Sequence, residues 1–216
     1  MLTLSEEFLI LCIHESKGAF IGSTLERLKP GLGGAILMEL AMMGRIQNTQ
    51  NHRLQLVDDS PTGGDILDEA LAVLKSSEKD RKLGYWIKTL SQKTDKFRKL
   101  IVESLVEKGV ITHEDESFSW VIPTPLQPKI KASPKYLLIE RLRQSVLASE
   151  ELQAGDLVLL NLLRTCSLLD LVFLRDERKL AGQSINEAFV GQAFQDPVLQ
   201  TIQEIETVIA DLIEED

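Results

Sequence analysis

Gly31-Leu-Gly-Gly-Ala-Ile-Leu-Met-Glu-Leu-Ala-Met-Met-Gly-Arg-Ile46 is the stretch on which the fold turns. From Ala35 to Met43 only Glu39 is polar, a pattern that predicts a helix buried on nearly all sides. Gly44 supplies the left-handed position that closes such a helix. Arg45-Ile46 and Arg53-Leu54-Gln55-Leu56 then read as two short strands around the polar turn Gln47–Asn51. Upstream, Pro30 is expected to end anything helical. Gly31, Gly33 and Gly34 are therefore expected to expose backbone N–H groups at a helix start, where an anion can sit.

The same design recurs further along the chain. Leu100-Ile-Val-Glu-Ser-Leu-Val-Glu-Lys-Gly-Val-Ile111 sets Leu100 opposite Ala35, Leu105 opposite Leu40, Gly109 opposite Gly44 and Ile111 opposite Ile46. Its polar turn is His113–Glu116 and its return strand Phe118–Ile122. Two copies are too few for a solenoid and instead suggest related half-units packed around something shared. The expected fold is mainly α: a single helical domain over 1–216, with two helix–β-hairpin half-units around a hydrophobic central helix, Asp156–Leu174.

Outside those units, Leu2–Ile13 reads as a first helix capped by Ser5, and Asp65–Leu74 and Ser77–Leu90 as two more. Lys93, Lys96, Arg98 and Lys99 crowd around Phe97 and lead into the second unit. Pro123, Pro125, Pro128 and Pro134 punctuate an extended connection. Tyr136–Leu147 is amphipathic, and Val198–Ile213 has the spacing of a cover helix with an acidic outer face.

Hydrophobic residues make up 44% of the 216 positions and aromatics 5%, which fits an aliphatic, helix-rich core. A net charge of −9 argues against nucleic acid as a partner, because that affinity rests on neutralising phosphates. The acidic start Met1-Leu-Thr-Leu-Ser-Glu-Glu lacks the positive region of a signal peptide. Asn161, Arg164 and Asp170 interrupt the longest apolar run, Leu157–Phe173, so a bilayer span is not expected. Cys12 and Cys166, both in apolar runs, read as buried free thiols of a reducing cytoplasm.

No constellation points to catalysis. His14, His52 and His113 all fall in turns, and Asp58 and Asp59 serve as well for helix capping as for a cation. Thr62-Gly63-Gly64 lacks the lysine of a phosphate-binding loop. The expectation is no enzyme, no metal and no cofactor. The helix–hairpin units also invite a winged-helix, DNA-binding reading. Its recognition helix should carry Arg or Lys toward the groove, and Ala35–Met43 carries neither.

Leu2-Thr-Leu-Ser-Glu-Glu-Phe-Leu, the Gly31–Ile46 stretch, Pro61-Thr-Gly-Gly-Asp-Ile-Leu-Asp-Glu-Ala-Leu, Trp86-Ile-Lys-Thr-Leu-Ser and Leu105-Val-Glu-Lys-Gly-Val-Ile together resemble the Golgi phosphoprotein 3-like family. The resemblance implies a mostly helical peripheral membrane protein that recognises phosphatidylinositol 4-phosphate. In eukaryotic members it also implies linkage of Golgi membranes to glycosyltransferase tails and coat proteins. Those members carry a basic N-terminal extension, whereas this sequence opens at the first helix. A compact prokaryote-type relative is therefore expected, without the Golgi adaptor role. The expected location is the cytoplasm, peripheral to the cytoplasmic face of a membrane.

The resemblance also implies a headgroup pocket built from a tryptophan and an arginine before the first repeat helix and two arginines before the second. Thr24, Gly33, Asp95 and Arg98 stand at those places, so only Arg98 keeps the chemistry. An arginine fork bonds two phosphate oxygens at once. The lipid-headgroup candidates are thus Arg98, Arg27, Lys29, Gly33, Gly34, Lys96 and Lys99, with an anionic phospholipid as partner. The family's second hairpin is associated with membrane contact and self-association, which makes Phe118 and Trp120 membrane-contact candidates and a homo-oligomer compatible with the sequence. Two function classes stand side by side: a non-enzymatic peripheral membrane protein with a degenerate headgroup site, and a cytosolic protein–protein adaptor that has lost lipid binding.

Overall fold

The computed structural model describes residues 2–13, 20–49, 52–77, 79, 81–111, 134–147, 152–193 and 196–214. Thr3 rather than Ser5 opens the first helix, α1 (Leu4–Cys12). Its hydroxyl accepts from Glu6 N at 3.2 Å while the Glu6 carboxylate accepts from Thr3 N at 2.6 Å, a reciprocal capping box. Every residue of α1 is buried, the acids included.

A 3-10 turn, Gly22–Thr24, leads into α2 (Leu25–Met42). Here the structure corrects the expected helix start. Pro30 lies inside α2, and Gly31, Gly33 and Gly34 are buried in mid-helix rather than offering free N–H groups at its end. Proline costs α2 one backbone hydrogen bond. That loss is outweighed because α2 buries a long run from Pro30 to Met38 against its neighbours. The glycines are where those neighbours come closest. A Cβ on Gly31 would overlap the Phe8 ring of α1, and one on Gly33 would sit 3.3 Å from the Ile87 carbonyl.

The other end of α2 agrees with the sequence. Gly44 has φ 68°, its N–H reaches the Ala41 carbonyl at 2.9 Å, and Arg45 N reaches Leu40 O at 2.9 Å. This is a Schellman closure. Strands β1 (Ile46–Asn48) and β2 (Leu54–Leu56) follow as an antiparallel hairpin in which Ile46 faces Leu56.

Next come α3 (Asp65–Lys75), α4 (Leu83–Gln92) and α5 (Thr94–Glu107). The basic segment expected to precede the second unit is in fact the first turns of α5. Gly109 also has φ 68°, with Gly109 N bonded to Val106 O and Val110 N to Leu105 O, each at 2.9 Å. Both units therefore close in the same way. They also meet α1 through equivalent positions. Glu39 of α2 accepts hydrogen bonds from the N–H groups of Leu4 and Ser5, and Ser104 of α5 donates to Glu6 Oε1 at 2.7 Å. Lys108 completes the clasp at 2.7 Å from Glu6 Oε1. The expected second hairpin, with Phe118, Trp120, His113 and most of the proline-rich connection, lies outside the described residues, as does His14.

Pro134 is the first residue of α6 (Pro134–Leu147), where its fixed φ suits a helix start. The expected long central helix is shorter. α7 (Ala154–Thr165) stops before Ser167, whose φ is 55°, and Leu169–Leu171 forms a 3-10 turn. α8 (Arg178–Ala193) was not marked by any strong periodicity, and α9 (Pro197–Glu214) is the expected cover helix. Among the described residues, the buried faces of α1 to α9 contribute to one hydrophobic cluster.

Candidate functional site

The α4–α5 corner carries the one arginine that the family resemblance assigns to a headgroup. Thr94 donates to the Ser91 carbonyl at 2.6 Å and fixes the bend between the helices. Asp95 then sits in the first turn of α5, where the helix dipole favours a carboxylate. Three residues on, Arg98 Nη2 meets Asp95 Oδ1 at 3.0 Å. The guanidinium lies 5.8 Å from the Phe20 ring centroid, in cation–π range. Side-chain exposure is 20% for Arg98 and 90% for Asp95, so the arginine is held and the carboxylate is washed by water.

Phe20 is placed by backbone contacts to α1: a bridge to Ile13, and Ile21 N donating to Cys12 O at 2.9 Å. On the other side of the corner, Ser91 Oγ donates to the Lys29 carbonyl at 3.1 Å. The corner thus touches the entry into α2 through Ser91 and, by way of Arg98, through Phe20. Lys29 is exposed, and Leu25, one turn earlier on the same face, is 55% exposed.

The remaining candidates divide. Lys96 is paired with Glu69 of α3 at 2.6 Å and Lys99 with Glu103 at 3.8 Å. Arg27 turns inward. Its Nη1 donates to Ser23 O at 2.8 Å, its Nε is buried with no partner among the described residues, and its charge is felt at the buried Cys166 thiol. Thr24 is buried and donates to Ile21 O at 2.7 Å. Gly33 and Gly34 are corrected as headgroup contacts: both are enclosed by α4 and α9 side chains, and a helix interior offers no free N–H. Sequence reasoning missed Phe20, which lies in a segment without a helical pattern, and Ser91, which lies in the last turn of α4. It could have found the Asp95–Arg98 pair from its i,i+3 spacing.

Elsewhere several charged groups pair with one another. Asp58 pairs with Arg45, Asp59 with Lys75 at 2.9 Å, and neither caps α3, whose entry is tied instead by Thr62 donating to Asp68 at 2.7 Å. His52 meets Glu204 at 2.8 Å. An open cleft of about 310 Å³ between α6 and α7 is crossed by Arg141, which already holds Glu7 at 3.0 Å and Asp156 at 2.8 Å. Cys12 and Cys166 are free and buried, and burial pushes the Cys12 thiol up to about 12, far from a nucleophile's range. Among the described residues no three His, Cys, Asp or Glu side chains are grouped to hold a metal, and no helix is long and apolar enough to cross a membrane.

Comparison with known proteins finds likenesses of two kinds, to a family model and to individual proteins. The family model for Golgi phosphoprotein 3 (GPP34) matches residues 4–205. Vacuolar protein sorting-associated protein 74 of Eremothecium gossypii is 31% identical over 161 residues, covering 65% of this chain and 48% of that protein. The matched region thus spans about half the length of that relative.

Proposed function

The chain belongs to the Golgi phosphoprotein 3 family, and we propose that it is a non-enzymatic, peripheral membrane-associated protein whose α4–α5 corner binds an anionic lipid headgroup. Residues 1–216 act as one domain in this reading, on the cytoplasmic face of a membrane. The observation that carries it is Arg98, the arginine at a family headgroup position, held half-buried over Phe20 at a corner whose Ser91 bonds the backbone carbonyl of the exposed Lys29. Pre-placement of that kind lowers the entropic cost of gripping a phosphate. Leu25 supplies apolar contact next to Lys29, and Phe118 and Trp120 remain proposed as membrane contacts. The degenerate set at Thr24, Gly33 and Asp95 makes the site weaker than a full arginine cluster, since each charged hydrogen bond lost costs about 1.5–3 kcal/mol.

Flotation with liposomes tests this reading. Recovery should require anionic lipid, and Arg98→Glu should lower vesicle affinity about tenfold or more, because it removes one charged hydrogen bond and reverses a charge. Recovery indifferent to anionic lipid would sink the proposal.

A second reading, a protein–protein adaptor without lipid binding, draws on the acids that already engage Arg98, Lys96 and Lys99. It predicts no flotation and unchanged partner capture in Arg98→Glu.

A further inference from the structure

Two contacts of different kinds hold the Arg98 guanidinium. Asp95 meets it at 3.0 Å from the same helix, three residues back, and is 90% exposed, so water screens that ion pair and it fixes little. Phe20 comes from a distant part of the chain, and its ring centroid lies 5.8 Å from Arg98 Cζ. The segment that carries the ring is strapped to the end of α1. Ile13 and Phe20 form a β-bridge, and Ile21 N donates to Cys12 O at 2.9 Å. Thr24 Oγ1 donates to Ile21 O at 2.7 Å, and Phe20 packs against the hydrophobic core. The ring is therefore fixed to the body of the protein, and through it so is Arg98.

We infer, building on the headgroup reading above, that Phe20 is a positioning residue of that site, its ring holding the Arg98 guanidinium in place for a headgroup phosphate. A phenyl face attracts a cation through its quadrupole and uses none of the five N–H donors of the guanidinium. Seating on the ring thus restrains a long, rotamer-rich side chain without consuming the hydrogen bonds a phosphate needs. A site whose arginine is already placed binds more tightly than one that must order it on contact. The side chain of Arg98 is only 20% exposed, so the ring contact lies partly out of water, where cation–π attraction is stronger than at an open surface. Phe20 carries no charge, and replacing it leaves the protein's long-range attraction to a vesicle unaltered. Loss of the ring should therefore weaken headgroup binding through placement alone, about threefold to tenfold.

A double-mutant cycle on phosphatidylcholine vesicles doped with phosphatidylglycerol tests this, with the full chain and with folding checked by circular dichroism. Arg98→Gln should weaken binding about tenfold. Phe20→Leu, which keeps an apolar side chain and removes the π face, should weaken it about threefold to tenfold, and Phe20→Tyr, which keeps that face, should stay within about twofold of wild type. Phe20→Met reads the same quantity should Phe20→Leu fail to fold. In the Arg98→Gln background the loss of the ring should have no further effect, because a positioning residue has nothing left to position. A ring that touches lipid directly, or that only stabilises the fold, would show its full effect in that background too. Such an undiminished effect, wild-type affinity in Phe20→Leu, or a loss in Phe20→Tyr as large as in Phe20→Leu overturns the inference and leaves the headgroup site standing. Binding that Arg98→Gln does not weaken, or no binding by the folded wild type, removes the site and the inference together.

Discussion

Gly31→Ala is expected to destabilise the protein by about 2 kcal/mol, against the usual direction of a glycine-to-alanine change in a helix. In an open helix interior that change gains about 1 kcal/mol. Here the new methyl would overlap the Phe8 ring and lie 3.2 Å from Cys166 Sγ, and all three groups are enclosed. Phe8 is fully buried and cannot swing into solvent. Gly34→Ala should cost less, since the atom it meets is the terminal methyl of Ile209, which can turn. Gly155, with nothing within 4 Å, is the control and should tolerate alanine. Urea unfolding followed by circular dichroism reads all three. Phe8→Leu should itself cost about 1–2 kcal/mol, yet the Gly31→Ala/Phe8→Leu pair should be more stable than the two losses added, by about 1 kcal/mol. Strict additivity would mean that the glycine is not there for the ring.

The same glycines mark where the sequence was readable and where it was not. Gly44 and Gly109 were legible because a positive φ after a helix is a local demand, and glycine meets it locally. Gly31, Gly33 and Gly34 answer to Phe8, Ile87 and Ile209, which come from three other helices, and no window of sequence contains that information. Pro30 was likewise weighed on local preference alone, whereas burial along α2 overrides it. α7 ended early for a local reason that its apolar run concealed: Ser167 takes a left-handed turn that hydrophobicity does not report. At the candidate site, charge and spacing made Arg98, Asp95, Lys96 and Lys99 visible. What they pair with was not, apart from the i,i+3 and i,i+4 contacts within α5, because Glu69 and Phe20 arrive from α3 and from the strand-like segment before α2.

The stability of wild type should fall as pH rises from about 5 to about 8, and Glu206→Gln should flatten much of that slope. Glu206, on the inner face of α9, is 5% exposed. Its Oε2 accepts from Asn161 Nδ2 at 2.6 Å, and Asn161 Oδ1 accepts from Arg164 Nε at 2.7 Å. Oε1 is buried without a partner among the described residues. Burial pushes the carboxyl up from 4.5 to about 8, against the opposing pull of Arg164 and Asn161. Between those two pH values the folded state binds a proton that the unfolded state has released, so unfolding becomes easier as pH increases. The shift corresponds to stability on the order of 5 kcal/mol, present below the unfolded value and lost by the folded one. Glu39, raised to about 7 by burial and by Glu6, acts in the same direction over the lower part of this window. The difference between wild type and Glu206→Gln isolates the α9 group. Glu6, Asp68 and Glu177 have lowered values and contribute on the acid side instead, where stability is lost as pH falls. Chemical denaturation at pH values spanning 5 to 9 should therefore give Glu206→Gln no advantage at the acid end and a gain of several kcal/mol at the alkaline end. Parallel curves for the two proteins would mean that Glu206 is ionised at neutral pH and that its buried oxygen is satisfied after all.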